Sequence, residues 1–164
     1  MKRIASFVFC VCFLLSGCSF GVERIREPVT FHYLCSEYQD SLCCVFVSEE
    51  REAAGHTGDL TYLLGLYLMG PASDEMDFPL PSGTKVLSSQ KHNAQVLIEL
   101  SDTEQNLSDI DYSLACACLT LTCLDMTDAE SVTVTSGTRS VTMTRESLAL
   151  YDSSAETTPM EDNG

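Results

Sequence analysis

The sequence predicts an α+β domain in which two helices pack on an antiparallel or mixed sheet, in the order ββα-ββα-ββ. Three observations predict it. Short segments rich in β-branched and aromatic residues come in pairs, separated by turn residues. Two longer segments repeat apolar residues at spacings of three and four. The strand segments alternate in polarity, which implies a sheet covered on one face.

Residues 29–34 read as the first strand, 37–41 as a polar turn and 42–48 as a second strand rich in β-formers. Residues 49–58 are polar and turn-rich. Asp59 then caps a helix running to about residue 69, with Leu60, Leu63, Leu64, Tyr67 and Leu68 on one face. Gly70 and Pro71 stop it. After an acidic loop at 74–77, Pro81-Ser82-Gly83 leads into a strand at 84–89. A turn at 91–93 returns the chain as the strand 95–100. Ser108 and Asp111 resemble a capping box, with Asp in the position usually held by Glu. The helix behind them extends to about residue 125, and Ile110, Leu114, Ala117, Cys118, Leu121 and Leu124 form its expected buried face. A final hairpin, 131–135 with 141–145, turns at Ser136-Gly137. Ser82-Gly83-Thr84 and Ser136-Gly137-Thr138 form a faint internal echo, weakly suggesting duplicated helix-plus-hairpin units.

Ahead of this domain, Lys2 and Arg3 precede a mostly apolar run from 4 to 15, the pattern of a signal peptide. Twelve helical residues reach about 18 Å, short of a hydrocarbon core of about 30 Å. The run ends in Leu15-Ser16-Gly17-Cys18, which resembles a bacterial lipobox with Cys18 as the lipid attachment residue. Cys10 and Cys12 follow the bulky Phe9 and Val11 and fit that pattern poorly. The expected organisation is a lipoprotein signal peptide at 1–17, a lipidated N-terminus and tether at 18–28, one domain at 29–147 and an acidic disordered tail at 148–164.

The chain holds 9 Lys+Arg against 24 Asp+Glu, a formal charge of −15. Loss of Lys2 and Arg3 with the signal peptide would leave 7 against 24, or −17. Such a balance argues against nucleic acid, which needs a basic footprint, and against a broad electrostatic grip on anionic lipid. The lipid itself is then the expected membrane contact.

No catalytic constellation emerges, and the expected protein is not an enzyme. His32, His56 and His92 are scattered, and no nucleophile stands at motif spacing. His32 with Cys35 is a chance-level pairing. Asp74, Glu75 and Asp77, and Asp109 with Asp111, lack the spacing and glycine of a calcium loop. No glycine-rich phosphate loop is present, and no cofactor is implied. Six cysteines follow Cys18: Cys35, Cys43, Cys44, Cys116, Cys118 and Cys123. Fifteen disulfide connectivities are formally open. Cys116 and Cys123, seven helical residues apart, stand about 10.5 Å apart, too far for a disulfide of about 4.4–6.8 Å between Cα atoms. Cys43 and Cys44 would face opposite sides of a strand. Apolar packing or an occasional disulfide fits these residues better than a metal site, since no Cys-x-x-Cys pair occurs.

Four segments resemble a GerM domain, known from sporulation and germination proteins and other bacterial lipoproteins. Leu64-Gly-Leu-Tyr-Leu-Met-Gly70-Pro71 resembles its helix ending in Leu-x-Gly-Pro. Leu80-Pro81-Ser-Gly83-Thr84 resembles its Ile-Pro-x-Gly-Thr strand entry, and Val96-Leu-Ile-Glu-Leu100-Ser101 its Val-x-Leu-Ser strand end. Leu119-Thr120-Leu121-Thr122, with Ser131-Val132-Thr-Val134 and Gly137, resembles its helix, strand and glycine turn. The cysteine content and the strong acidity depart from the family. The resemblance implies a non-enzymatic, lipid-anchored assembly or interaction module at the outer face of the cytoplasmic membrane. It further implies a role in sporulation, germination or envelope processes, with protein partners or self-association into rings. A cell-wall or small-ligand binding lipoprotein in contact with peptidoglycan is the alternative.

Overall fold

Strand β1 (Pro28–Cys35) alternates as read, with Val29, Phe31 and Tyr33 buried. The computed structural model describes residues 27–36, 45–103 and 106–148. Cys18, Cys43, Cys44, the signal peptide, the turn at 37–41 and the tail beyond 148 lie outside the described residues. β2 (Phe46–Glu52) pairs antiparallel with β1, Phe31 opposite Glu49 and Val29 opposite Arg51. This corrects the expected second strand at 42–48 and the polar turn after it. Glu49, Glu50, Arg51 and Glu52 belong to the strand. β2 lies at the sheet edge, where charged residues block further pairing.

Asp59 caps helix α1 (Leu60–Tyr67), its carboxylate accepting from the Tyr62 amide at 3.0 Å. Leu63, Leu64 and Tyr67 are buried, as the periodicity predicts. Gly70 takes φ +81° just beyond the helix, a conformation costly for any side chain. The short β3 (Met76–Asp77) completes a three-stranded sheet of order β2-β1-β3.

Pro81 to Thr84 form a turn with Gly83 at φ +86° and the Thr84 amide on the Pro81 carbonyl at 3.1 Å. β4 (Val86–His92) follows, shifted towards the C-terminus from the expected 84–89, and a bulge between Val86 and Ser88 interrupts it. The turn sits at Asn93-Ala94 rather than 91–93, with Asn93 at φ +53°. β5 (Gln95–Leu100) matches its expected range. Helix α2 (Asp109–Met126) then crosses to β6 (Ser131–Ser136), which lies parallel to β5, and β7 (Arg139–Thr144) returns antiparallel. The second sheet therefore has the order β4-β5-β6-β7 and is mixed. The expected α+β class holds, with the strands divided between one antiparallel and one mixed sheet.

The extent of α2 agrees with expectation, and its buried face agrees in part: Ala117, Cys118 and Leu124 are buried as read. Ile110 is 74% exposed, and Leu114 and Leu121 are only half-buried. Tyr112, Ala115, Cys116, Leu119, Thr120, Thr122 and Cys123, outside the expected face, are buried as well. At about 100° per residue, burial covers about two-thirds of the helix circumference. The cause is contact with both sheets: α2 packs against β1 on one side and against β6 and β7 on another. A helix so enclosed loses the polarity contrast on which a face is read. It also protects β1. β3 pairs only with Leu34 and Cys35, so the His32 amide has no strand partner on that side. It donates to Thr122 Oγ1 at 2.9 Å.

The two Ser-Gly-Thr segments are not equivalent. The first precedes β4, whereas Gly137-Thr138 is the hairpin turn between β6 and β7. The echo therefore does not mark equivalent positions, although α1 with the β4–β5 hairpin and α2 with the β6–β7 hairpin each form a helix-plus-hairpin unit.

Candidate functional site

Three polar clusters hold the elements together, and two of them include residues of the family-like segments. The first centres on Arg51 of β2. Its Nε donates to Glu49 Oε1 at 2.6 Å, NH1 to the Leu66 carbonyl at 3.0 Å and NH2 to the Tyr33 hydroxyl at 3.1 Å. NH2 also reaches the Gly70 carbonyl. The guanidinium lies 5.3 Å from the Phe31 ring centre and 5.8 Å from that of Tyr33, itself stacked on Tyr67 at 5.0 Å. Glu49 Oε2 accepts from the Ala72 amide. Arg51 thus clips the C-terminal end of α1, where Leu-x-Gly-Pro lies, to the first sheet. Burial raises the Tyr33 and Tyr67 phenols and keeps both neutral.

The second cluster fastens the segment ahead of α2. Arg139 NH2 donates to Thr103 Oγ1 at 3.0 Å, and Thr103 Oγ1 lies 2.9 Å from Ser136 Oγ. Ser136 Oγ donates to the Ser101 carbonyl at 2.9 Å, so Thr103 supplies the proton between the two hydroxyls. Arg139 NH1 reaches the Leu107 carbonyl, and the guanidinium lies 4.2 Å over Tyr112. Ser101, which ends the strand motif, is thus joined to Ser136, the residue before the turn glycine Gly137. Ser108 caps α2 by accepting from the Asp111 amide. Its hydroxyl also donates to Asp111 Oδ2 at 2.7 Å, a side-chain contact in place of the longer reach that Glu makes to backbone.

The third cluster is at the other end of α2. Asp125 Oδ2 lies 2.7 Å from His32 Nε2, and Arg145 NH2 donates to Asp125 Oδ1 at 2.6 Å. Burial alone would raise the Asp125 carboxyl, but hydrogen bonds and charges from Arg145 and His32 outweigh it and hold the group below its ordinary value. His32 turns to Asp125, not to Cys35.

Cys35, Cys116, Cys118 and Cys123 are free, the last three buried in α2. Burial pushes the Cys116 thiol up to about 11 and Cys123 to about 12, and raises Cys118 too. Among the described residues no group of three or more His, Cys, Asp or Glu is placed to hold a metal ion. No helix among them is long and apolar enough to cross a membrane. The proposed lipid site, Cys18, lies outside them.

What sequence reasoning missed is the outer face of the second sheet. The buried Val96, Ile98, Leu100, Val132 and Val134 face the core. Opposite them, across β4 to β7, stand Ser88, Gln90, His92, Gln95, Leu97, Glu99, Ser131, Thr133, Thr135, Ser140 and Thr142. The signal was present as alternation in the segments Ser131-Val-Thr-Val-Thr-Ser136 and Ser140-Val-Thr-Met-Thr144.

No family model matches the chain, and no curated protein matches it. Among solved structures it is similar to the tandem GerMN domains of the sporulation protein GerM from Bacillus subtilis. The identity is 20% and the TM-score 0.52, over 74% of this chain and 43% of that one. It thus spans less than half of that structure's length. A crystal structure from Clostridium perfringens, described as a lipoprotein, aligns at 17% identity and a TM-score of 0.46, over 73% of this chain and 89% of that one. The fold expectation from the four motif segments is met: the described domain has a GerM-like fold.

Proposed function

We infer that this protein is a lipid-anchored, non-catalytic interaction module of the bacterial envelope. Cys18 holds it at the outer face of the cytoplasmic membrane, and its GerM-like domain associates with neighbouring copies or protein partners. The likeness to the tandem domains of a sporulation protein carries this reading and favours sporulation or germination as the process. The sheet edges add support. β2 is an acidic edge, whereas β7, one of the two outer strands of the second sheet, has no carboxylate and can approach a like-charged copy with less repulsion. A head-to-tail contact of this kind gives a ring if the rotation closes.

Cross-linking of the full chain on native membranes tests the assembly, together with light scattering in detergent at high concentration. A ladder of higher species is expected; monomer alone in both would end the proposal. Labelling with a fatty-acid analogue tests the anchor. Label should disappear in Cys18→Ala, and undiminished label would refute the assignment.

A further inference from the structure

The outer face of the second sheet has an unusual composition for this chain. An acidic protein places its carboxylates where water solvates them, and the open side of a sheet is such a place. With 24 Asp+Glu in the chain, the face has Glu99 as its one carboxylate and no Lys or Arg. Hydroxyls and amides fill it instead. Thr133 Oγ1 lies 2.7 Å from Thr142 Oγ1, Thr135 Oγ1 3.3 Å from Ser140 Oγ, and Gln95 Nε2 donates to Thr133 Oγ1 at 3.1 Å. Ser88 Oγ donates to Glu99 at 3.1 Å. Cross-strand Thr pairs stabilise a sheet, but that does not require the face to be free of charge. Each hydroxyl offers one donor and two acceptor sites, so these contacts leave capacity unused. A shallow groove of about 200 Å³ lies across β4, β5 and β6, lined by Ser88, Leu97, Ile98, Glu99, Thr133 and Thr135.

We propose that this face binds a neutral glycan strand, laid along the groove with sugar hydroxyls on the Thr133 and Thr135 ladder and a sugar ring against Leu97. Charge selects the ligand class. Anionic polymers are repelled by a chain of −15, and cationic ones are drawn to its acidic surfaces elsewhere. A face with a single carboxylate, no Lys or Arg and a high density of donors and acceptors matches a polyol, and Glu99 can accept from its hydroxyls. Area argues against a second copy as the occupant. Strands of six residues in a four-stranded sheet present a surface of about 20 Å by 15–20 Å. That is about half of the roughly 800 Å² per partner in a stable protein interface. A narrow linear ligand fits those dimensions.

The proposal is independent of self-association, which uses the strand edges. The test is an amide-shift titration of the full chain in detergent micelles with hexa-N-acetylchitohexaose, an uncharged hexasaccharide. Saturable shifts centred on Leu97, Glu99, Thr133 and Thr135 are expected. Binding should weaken at least tenfold in Thr133→Val/Thr135→Val, which keeps shape and strand preference while removing the hydroxyls. If that variant melts early, the exposed Leu97→Gln serves in its place. No saturable shift at millimolar sugar, or shifts that survive both substitutions, would overturn the proposal. So would shifts at these amides on protein dilution without sugar, which would assign the face to a second copy.

Discussion

Replacing Arg51 by Met removes one fork that joins three parts of the fold while leaving most of its aliphatic volume in place. The side chain is 19% exposed and its partner Glu49 12%, so neither charge is freely solvated. The substitution strands the Glu49 carboxylate and releases the Leu66 and Gly70 carbonyls and the Tyr33 hydroxyl. A hydrogen bond to a charged group contributes about 1.5–3 kcal/mol. The stacked guanidinium contributes about 0.5–1 kcal/mol more. These contributions overlap and residual exposure lets water replace part of them, so the expected loss is about 3 kcal/mol. For a domain of this size that lowers Tm by about 10–15 °C. Urea and thermal unfolding followed by circular dichroism measure it. Arg51→Lys should recover less than half, because an ammonium cannot reach both carbonyls and Glu49 from one plane. A loss under about 1 kcal/mol in Arg51→Met would refute the claim that this side chain fastens α1 to the first sheet.

Two further outcomes follow from the ionisable groups. Asp125 is held below its ordinary value, so its contribution is fully present above the unfolded carboxyl range and is lost as pH falls through the lower, folded value. The urea midpoint of the native sequence should drop from pH 5 to pH 2 more steeply than that of Asp125→Asn; parallel curves would contradict the assignment. The α2 thiols, buried and raised well above neutrality, should resist a thiol reagent at pH 8 until urea unfolds the chain. Labelling of Cys116, Cys118 or Cys123 at native rates comparable to free cysteine would show that the helix is not enclosed.

Helix α1 was legible because it has one buried face, a carboxylate cap and a glycine stop, each written locally. Strand β5 was legible because Val96, Ile98 and Leu100 alternate with Gln95, Leu97 and Glu99. β2 was not, because Glu49 to Glu52 read as a solvated turn unless the edge position is known. The pairing of β5 with β6 was equally hidden: a parallel neighbour reached across α2 leaves no local turn signal. The Arg51 clip depends on register. Arg51 and Glu49 share a face only because they are two apart in a strand, and Leu66 and Gly70 meet them only after α1 docks. The sheet face was visible as alternation, but its significance depends on knowing which side the core takes.

The cysteines of α2 follow from the same geometry. A helix that touches two sheets must present small side chains over most of its surface. Large ones would hold the strands away, and polar ones would need partners. Ala115, Cys116, Ala117, Cys118, Thr122 and Cys123 meet that demand. Cysteine is a small apolar residue with no obligatory hydrogen bond, and threonine is useful where a backbone donor needs an acceptor, as Thr122 supplies for His32. The same enclosure removes the core side of both sheets from any partner. Binding must then use edges, loops or the outer faces, and of these the hydroxyl face of the second sheet is the broad one not defended by like charge.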